Sequence, residues 1–297
     1  MKIIISGGTG FIGKNLSKYF ITRGDEVTVL TRGESITQGN PKYVHWDPNK
    51  GGSIDRIDKA DIVINLAGYS IAAKRWSSKV KRELEESRIN STKTLIKYLP
   101  EWNASTFISA SAVGYYGFRD DEIIDERGAP GEDFLSQLAV KWEEAALQAN
   151  VENISIVRFG VVIGENGGIL ERFLTPIKYG LSKKIGSGKQ WISWVDVEDV
   201  VGSIDFIMTN KKKGIYNITS PNPERNEDFL NVIASAMQKK QYLSVPAFLI
   251  KAVLGEMGEA LIINGQRAIP KRLQDEGYKF KYPELGVSIE KAIKRIN

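Results

Sequence analysis

The plainest chemistry in the chain lies near its start, in Gly7-Gly8-Thr9-Gly10-Phe11-Ile12-Gly13. A β-branched run, residues 3–6, leads into this segment, and an amphipathic stretch, residues 12–23, leaves it. A strand, a glycine turn and a helix in that order present unpaired amides and the positive end of a helix dipole to a pyrophosphate. Gly7 permits the tight turn, Gly10 lets the backbone approach the phosphates, and Gly13 lets the helix lie close on the sheet. Thr9, Phe11 and Ile12 complete the expected binding turn, which has the right strand before it and the right helix after it.

The next chemical choice falls at the end of the second strand, residues 27–31. An acid there would hydrogen-bond the adenosine ribose and select NAD. This strand ends instead in Thr31-Arg32, nineteen residues past Gly13, and the acids Asp25 and Glu26 lie at its opposite end. A guanidinium pairs with a 2′-phosphate through a charge-assisted hydrogen bond of about 1.5–3 kcal/mol, a preference of roughly ten- to hundredfold. Thr31 can donate its hydroxyl to the same phosphate. The expected cofactor is therefore NADP(H), with NADPH bound at least about tenfold tighter than NADH. Leu66, Ala67 and Gly68 supply small residues where the chain passes the adenosine half. On the helix over residues 79–98, Glu83 and Arg88 are five residues apart and cannot face the same way. Arg88 is assigned to the cofactor cleft; the competing reading is an exposed charged helix face.

The elements that must hold these residues follow an alternating pattern. Residues 3–6, 27–31, 62–66, 107–111 and 154–159 read as buried parallel strands, and amphipathic stretches over 12–23, 79–98 and 134–149 separate them. That alternation predicts an α/β fold: a Rossmann-type doubly wound parallel sheet, with a smaller mixed α/β C-terminal substrate lobe. The expected division is a nucleotide domain over residues 1–165, to which strands within 192–218 return. Residues 166–191 and 219–297 would then build the second lobe. A helix is expected over 226–239, a proline-punctuated apolar stretch over 245–263, and a last helix over 288–296.

Composition removes several alternatives. With no cysteine, thiol nucleophiles, disulfides and cysteine-ligated metals are excluded, and one histidine, His45, cannot build a histidine-rich metal site. No run reaches the roughly 18 apolar residues of a membrane span. MKIIISGGTG is not a signal peptide, because its apolar stretch is three isoleucines long. The expectation is a soluble cytoplasmic protein with a small-molecule substrate and no membrane partner. Net charge is +5, yet Lys211-Lys212-Lys213 and Lys239-Lys240 are short and lack interleaved aromatics, so no nucleic-acid partner is expected.

Taken together, GGTGFIG, NLAG, Asn90-Ser91-Thr92, SASAVGYYG, Arg158–Gly164 and GSGKQWISWVDVEDV, in that order over about residues 1–218, resemble the extended short-chain dehydrogenase/reductase superfamily of nucleotide-sugar epimerases and dehydratases. More narrowly, the chain resembles the atypical "epimerase family" members, which carry RW after the NLAG turn, SAVGYYG, a Trp-Glu pair on the later helix and a small C-terminal domain. That domain's pattern is present here as GEMGEALIINGQRAIPKRLQDEGYKFKYPEL. The resemblance implies NADP(H) binding and a reductase, epimerase or dehydratase reaction on a carbonyl or alcohol.

It also implies a Tyr-x-x-x-Lys on one helix, where the ammonium makes the phenol an acid or base. The helix over 134–149 has no tyrosine; with Lys141 as the lysine, Gln137 stands in the tyrosine's place. The literal match Tyr179-Gly-Leu-Ser-Lys183 falls where the superfamily's chain has already left for the substrate lobe, and is read as coincidence. The superfamily's serine is best matched by Ser111, with Tyr115 four residues on as a proton donor to substrate; Ser109 is assigned to the cofactor side. The missing Tyr-x-x-x-Lys motivates a second expectation, a catalytically degenerate NADPH-binding sensor. Trp142 is read as packing, Glu143 as a surface charge, His45 and Asp199 as structural, and Trp191 and Trp194 as lining a cleft or the core.

Overall fold

The computed structural model describes residues 1–49, 54, 57, 59–165 and 167–296; within these, the side chains of Ser182, Lys183 and Ile296 lie outside the description. Its main sheet has seven strands. They are β1 (Lys2–Ser6), β2 (Glu26–Thr31), β3 (Lys42–His45), β4 (Ile62–Asn65), β5 (Thr106–Ala112), β7 (Asn153–Phe159) and β13 (Gly214–Ile218). The short β6 (Ile123–Ile124) lies outside that sheet. The order is β13-β7-β5-β4-β1-β2-β3. β1 pairs in parallel with both β2 and β4, β2 with β3, and β4 with β5. The chain leaves β1 in one direction and resumes at β4 in the other, so a switch point opens beyond the C-terminal ends of β1 and β4. This is the Rossmann-type α/β sheet expected from the alternating pattern.

The chain folds into two compact units. The first holds residues 1–111, 138–157 and 201–215. Helices α1 (Phe11–Thr22) and α2 (Ser78–Tyr98) belong to it. Its core gathers Ile4, Leu30, Val63 and Phe107 from the strands with Leu95, Leu99 and Trp102. Strand residues buried on both faces, such as Ile3, Ile4 and Ile5 at no more than 1% exposure, explain why β1 reads as a continuous apolar run. Ser77 caps α2, its hydroxyl accepting from the Val80 amide.

The second unit holds residues 112–137, 158–200 and 216–297. It carries β8 (Val161–Gly164), β9 (Gly167–Gly168), β10 (Leu181–Ile185), β11 (Trp191–Ile192), β12 (Trp194–Asp196), β14 (Glu224–Arg225), β15 (Leu243–Val245) and β16 (Arg267–Ala268). Of the helices, α3 (Phe134–Ala146) and α5 (Val197–Thr209) run across the chain positions where the division falls. α4 (Leu170–Lys178), α6 (Asn226–Ala236), α7 (Ala247–Leu254), α8 (Glu256–Gly258), α9 (Lys271–Asp275) and α10 (Leu285–Ile296) lie in the second unit. Its core packs Leu170, Trp194, Phe229, Leu230, Ile233 and Ile289 together. Within the stretch 192–218, where returning strands are expected, β11 and β12 are two short strands separated at Ser193. No helix among the described residues is long and apolar enough to cross a membrane.

Candidate functional site

In the first unit, the residues singled out around the glycine turn converge at the ends of β1 and β4. Gly7 has φ +70°, and a side chain there would meet the Leu66 carbonyl oxygen at 2.6 Å. A side chain at Gly13 would meet the Gly7 carbonyl oxygen and the Gly8 Cα, each at 2.5 Å. Both turns and the first helix are therefore packed backbone to backbone, as the spacing of the glycines anticipates. Gly10 is the N-cap of helix α1, no side chain caps it, and its first turn holds no acid. The Gly10 amide bonds back to the Gly7 carbonyl and the Lys14 amide to that of Gly10. The amides of Phe11, Ile12 and Gly13 thus belong to the helix turn that has no intrahelical acceptor. Thr9 and Gly10 are exposed above it. The arrangement fits an anion such as a pyrophosphate, and among the described residues no side chain caps the amides.

Beneath the turn lies a buried polar network. Ser6 Oγ donates to Asn65 Oδ1 (2.7 Å), and Asn65 Nδ2 donates to Thr92 Oγ1 (2.8 Å) and reaches Ser109 Oγ at 3.4 Å. Trp142 Nε1 also donates to Thr92 Oγ1 (3.1 Å). Ser109 is fully buried, so the structure places it under the strand ends, as a partner of Asn65. These bonds tie β1, β4, β5, α2 and α3 at the ends that carry the glycine turn and the Leu66-Ala67-Gly68 turn.

Arg88 props the second turn. Its guanidinium lies 3.1 Å from where a Gly68 side chain would begin, and Nη1 donates to the carbonyls of Tyr69 (3.1 Å) and Leu84 (3.0 Å). The same group stacks 5.1 Å over the Trp142 ring. Burial lowers its pKa to about 10, which leaves it a cation at neutral pH.

At the end of β2, Arg32 is exposed. Thr31 Oγ1 accepts from the Gly33 amide (3.1 Å), His45 Nδ1 bonds the Gly33 carbonyl (2.8 Å), and the His45 amide donates to Ser35 Oγ (2.9 Å). His45 therefore braces the loop that carries Arg32.

Ser111, next to the last residue of β5, is 2% exposed, and its hydroxyl donates to Glu143 Oε1 at 2.6 Å. Glu143 is itself only 5% exposed. The expectation of a surface charge at Glu143 is wrong: the carboxylate turns inward toward the strand end, where a hydroxyl stabilises it. Lys141, two residues earlier on α3, points the other way to Glu85 at 2.9 Å with half its side chain exposed.

Tyr115 belongs to the second unit. The Arg158 guanidinium lies 3.4 Å from its ring centroid, and Tyr116 meets it edge-on. Arg158 is 1% exposed and donates to the Tyr116 hydroxyl (2.9 Å), which donates to Asn217 Oδ1 (2.7 Å). Burial pushes the Tyr116 phenol up to about 12, against the opposing charge of Arg158. A fixed cation on the face of Tyr115 was not foreseen; Arg158, in a strand rather than on the tyrosine's helix, gave no spacing to find it by. Tyr179 is 72% exposed, and the Lys183 side chain lies outside the described residues. Asp199 accepts from the amides of Lys281 (2.7 Å) and Tyr282 (2.8 Å) and from the Tyr278 hydroxyl (3.1 Å). Trp194 lies in the core of the second unit and Trp191 is half-buried.

Comparison with known proteins shows which family the chain resembles along its length. The profile of the NAD dependent epimerase/dehydratase family matches residues 3–219, and that of a domain of unknown function, DUF1731, matches residues 245–292. The epimerase family protein YfhF of Bacillus subtilis is 36% identical over 300 residues, covering 99% of this chain and 98% of its own. An epimerase family protein of Mycobacterium leprae is 34% identical, covering 99% of this chain and 96% of its own. Among solved structures, the human epimerase family protein SDR39U1 (isoform 2), crystallised with NADPH, superimposes with a TM-score of 0.91 at 29% identity, covering 99% of each chain.

Proposed function

The chain belongs to the NAD dependent epimerase/dehydratase family, and from that premise we propose that it binds NADP(H) and acts as an oxidoreductase or epimerase on a small carbonyl or alcohol substrate. The observation that carries the reading is the uncapped start of α1, open above Gly10 and closed below by the packing of Gly7 and Gly13. The amides of Phe11, Ile12 and Gly13 hold the pyrophosphate, beside Thr9 and Gly10. Leu66, Ala67 and Gly68 pass the adenosine half, and Arg88 fixes their turn from below. Exposed Arg32, with Thr31, receives the 2′-phosphate on a loop that His45 braces. The human neighbour crystallised with NADPH supports the same cofactor.

Bound nicotinamide supplies hydride exchange. This chain's residues then have to orient the substrate oxygen and move its proton. Tyr115 is the proton donor in this reading, with the Arg158 charge fixed at its ring in place of the absent lysine. Ser111 acts through its pairing with Glu143: the carboxylate takes the hydroxyl proton in a hydrogen bond, so Oγ presents its lone pairs to a substrate hydroxyl.

That same pairing favours a second reading. A Ser111 hydroxyl committed to Glu143 is not free to donate to a carbonyl, as a sensor that binds NADPH without turnover would allow. The test is a titration of the purified protein with NADPH followed by cofactor fluorescence, then a screen of sugars, ketones and aldehydes by nicotinamide absorbance. Saturable binding with turnover supports the enzyme. Binding without turnover, accompanied by a cofactor-dependent change in self-association, favours the sensor. No fluorescence response refutes both.

A further inference from the structure

In the second unit, three side chains from neighbouring backbone segments form a ladder. Trp191 on β11 is paired in register with Arg225 on β14. The Arg225 guanidinium lies 3.9 Å from the Trp191 ring, and that of Arg267 on β16 lies 4.2 Å from it. Two cations flank one indole, and they are not equivalent. Arg225 donates to Asp121 and to the Lys189 carbonyl, and Trp191 Nε1 donates to the same Asp121 oxygen at 2.8 Å. Arg267 rests against the ring, and among the described residues its guanidinium donates no hydrogen bond.

The backbone under Arg267 is held unusually firmly for a residue with an unspent head group. Buried Ser193 donates to the Gln266 carbonyl (2.7 Å) and accepts from the Ala268 amide (2.8 Å), gripping the residues on both sides. Gly265 lies so close to Trp191 that a side chain there would meet the Trp191 carbonyl oxygen at 2.1 Å. Arg267 also pairs with Ile123 in the β16–β6 ladder. A guanidinium is a planar fork of donors, which suits bidentate contact with an oxyanion. The neighbouring acid Asp121 is already engaged: the hydrogen bonds from Trp191 and Arg225, with the charges of Arg225 and Arg267 adding to them, hold its carboxyl below the usual carboxylate range. It hydrogen-bonds Arg225 and, among the described residues, meets Arg267 through charge alone.

We propose that Arg267, backed by Trp191 and Arg225, is an oxyanion subsite that receives a phosphate or carboxylate group of the small-molecule substrate. The proposal deepens the functional reading above, since it assigns a charge to that substrate. The alternative, a purely structural ladder, would need Arg267 only as a flat cation on the ring.

The full chain is titrated with inorganic phosphate and, separately, with malonate at ionic strength held constant by sodium chloride, followed by calorimetry and by tryptophan fluorescence. Saturable binding of one of them is expected, and the stronger of the two names the group. R267Q should weaken that binding by about tenfold or more, and R267K, which keeps the charge but not the fork, should fall between. Binding in R267Q equal to the unaltered chain overturns the proposal, as does an unaltered chain that saturates with neither anion. NADPH titration runs in parallel. If R267Q loses NADPH as well, R267K decides: folded and weaker for the anion supports the subsite, unchanged overturns it. An unaltered chain that binds the anion and not NADPH refutes the cofactor reading while leaving the subsite standing.

Discussion

Replacing Gly13 by alanine puts the packing of the glycine turn to a direct test. The new methyl would stand 2.5 Å from the Gly7 carbonyl oxygen, 2.5 Å from the Gly8 Cα and 2.9 Å from the Gly8 carbonyl carbon. Carbon contacts relax at about 3.5–4.0 Å, so the turn must retreat by about 1 Å. All three atoms are backbone, and no side chain can rotate out of the way. Overpacking of this kind costs about 1–3 kcal/mol of stability. Displacing two amide–phosphate bonds, at about 1.5–3 kcal/mol each, weakens NADPH by at least about a hundredfold. Gly286 is the matched control: it lies in α10, has no positive φ, and a side chain there meets nothing within 4 Å. Gly286→Ala should be neutral or stabilising by up to about 1 kcal/mol. Urea melts and NADPH fluorescence titrations of both variants give the answer. A G13A protein that binds NADPH within about threefold of the unaltered chain, where each tenfold is about 1.4 kcal/mol, would refute the reasoning.

Further outcomes follow from other parts of the molecule. Arg32→Gln should weaken NADPH by roughly ten- to hundredfold and leave NADH where it was, as read by paired calorimetric titrations. Ser111→Ala removes the bond to the buried Glu143 carboxylate and should cost about 1.5–3 kcal/mol in urea melts. Lys291→Met strands Asp196, which is fully buried and holds the Lys291 ammonium at 2.7 Å; a loss of about 3–5 kcal/mol is expected in the same assay. For Glu198, burial pushes the carboxyl up, but Lys281 and Lys291 outweigh it and hold the pKa at about 2. A folded pKa below the unfolded value gives stability that is complete above about pH 4.5 and is lost as pH falls toward 2. Because Lys281 is exposed and Glu198 only half-buried, solvent screens the pairing and that contribution is below about 1 kcal/mol. It should vanish from the pH profile of Glu198→Gln.

Much of the sheet was legible because its strands are buried on both faces and read as unbroken β-branched runs, with β1 the clearest. The glycine turn was legible because close backbone packing admits only one residue type at Gly13. What escaped notice depends on side-chain direction. Glu143 sits beside Trp142 on α3, and a glutamate on a helix carries no sign of which way it turns; its inward course depends on the Ser111 hydroxyl, 32 residues away. Arg158 reaches Tyr115 across 43 positions, with no periodic spacing to announce it. The two-residue strands β6, β11, β14 and β16 are too short to show alternation, so the Trp191 ladder they assemble was visible only as separate residues.

The central claim is that backbone amides at the start of α1 receive a dinucleotide and that Arg32 chooses the phosphorylated one. Calorimetric titration of the same protein preparation with NADPH and with NADH tests it most directly. The account predicts a dissociation constant for NADPH at least about tenfold below that for NADH. Equal constants would contradict the role given to Arg32, and heat from neither would contradict the site itself.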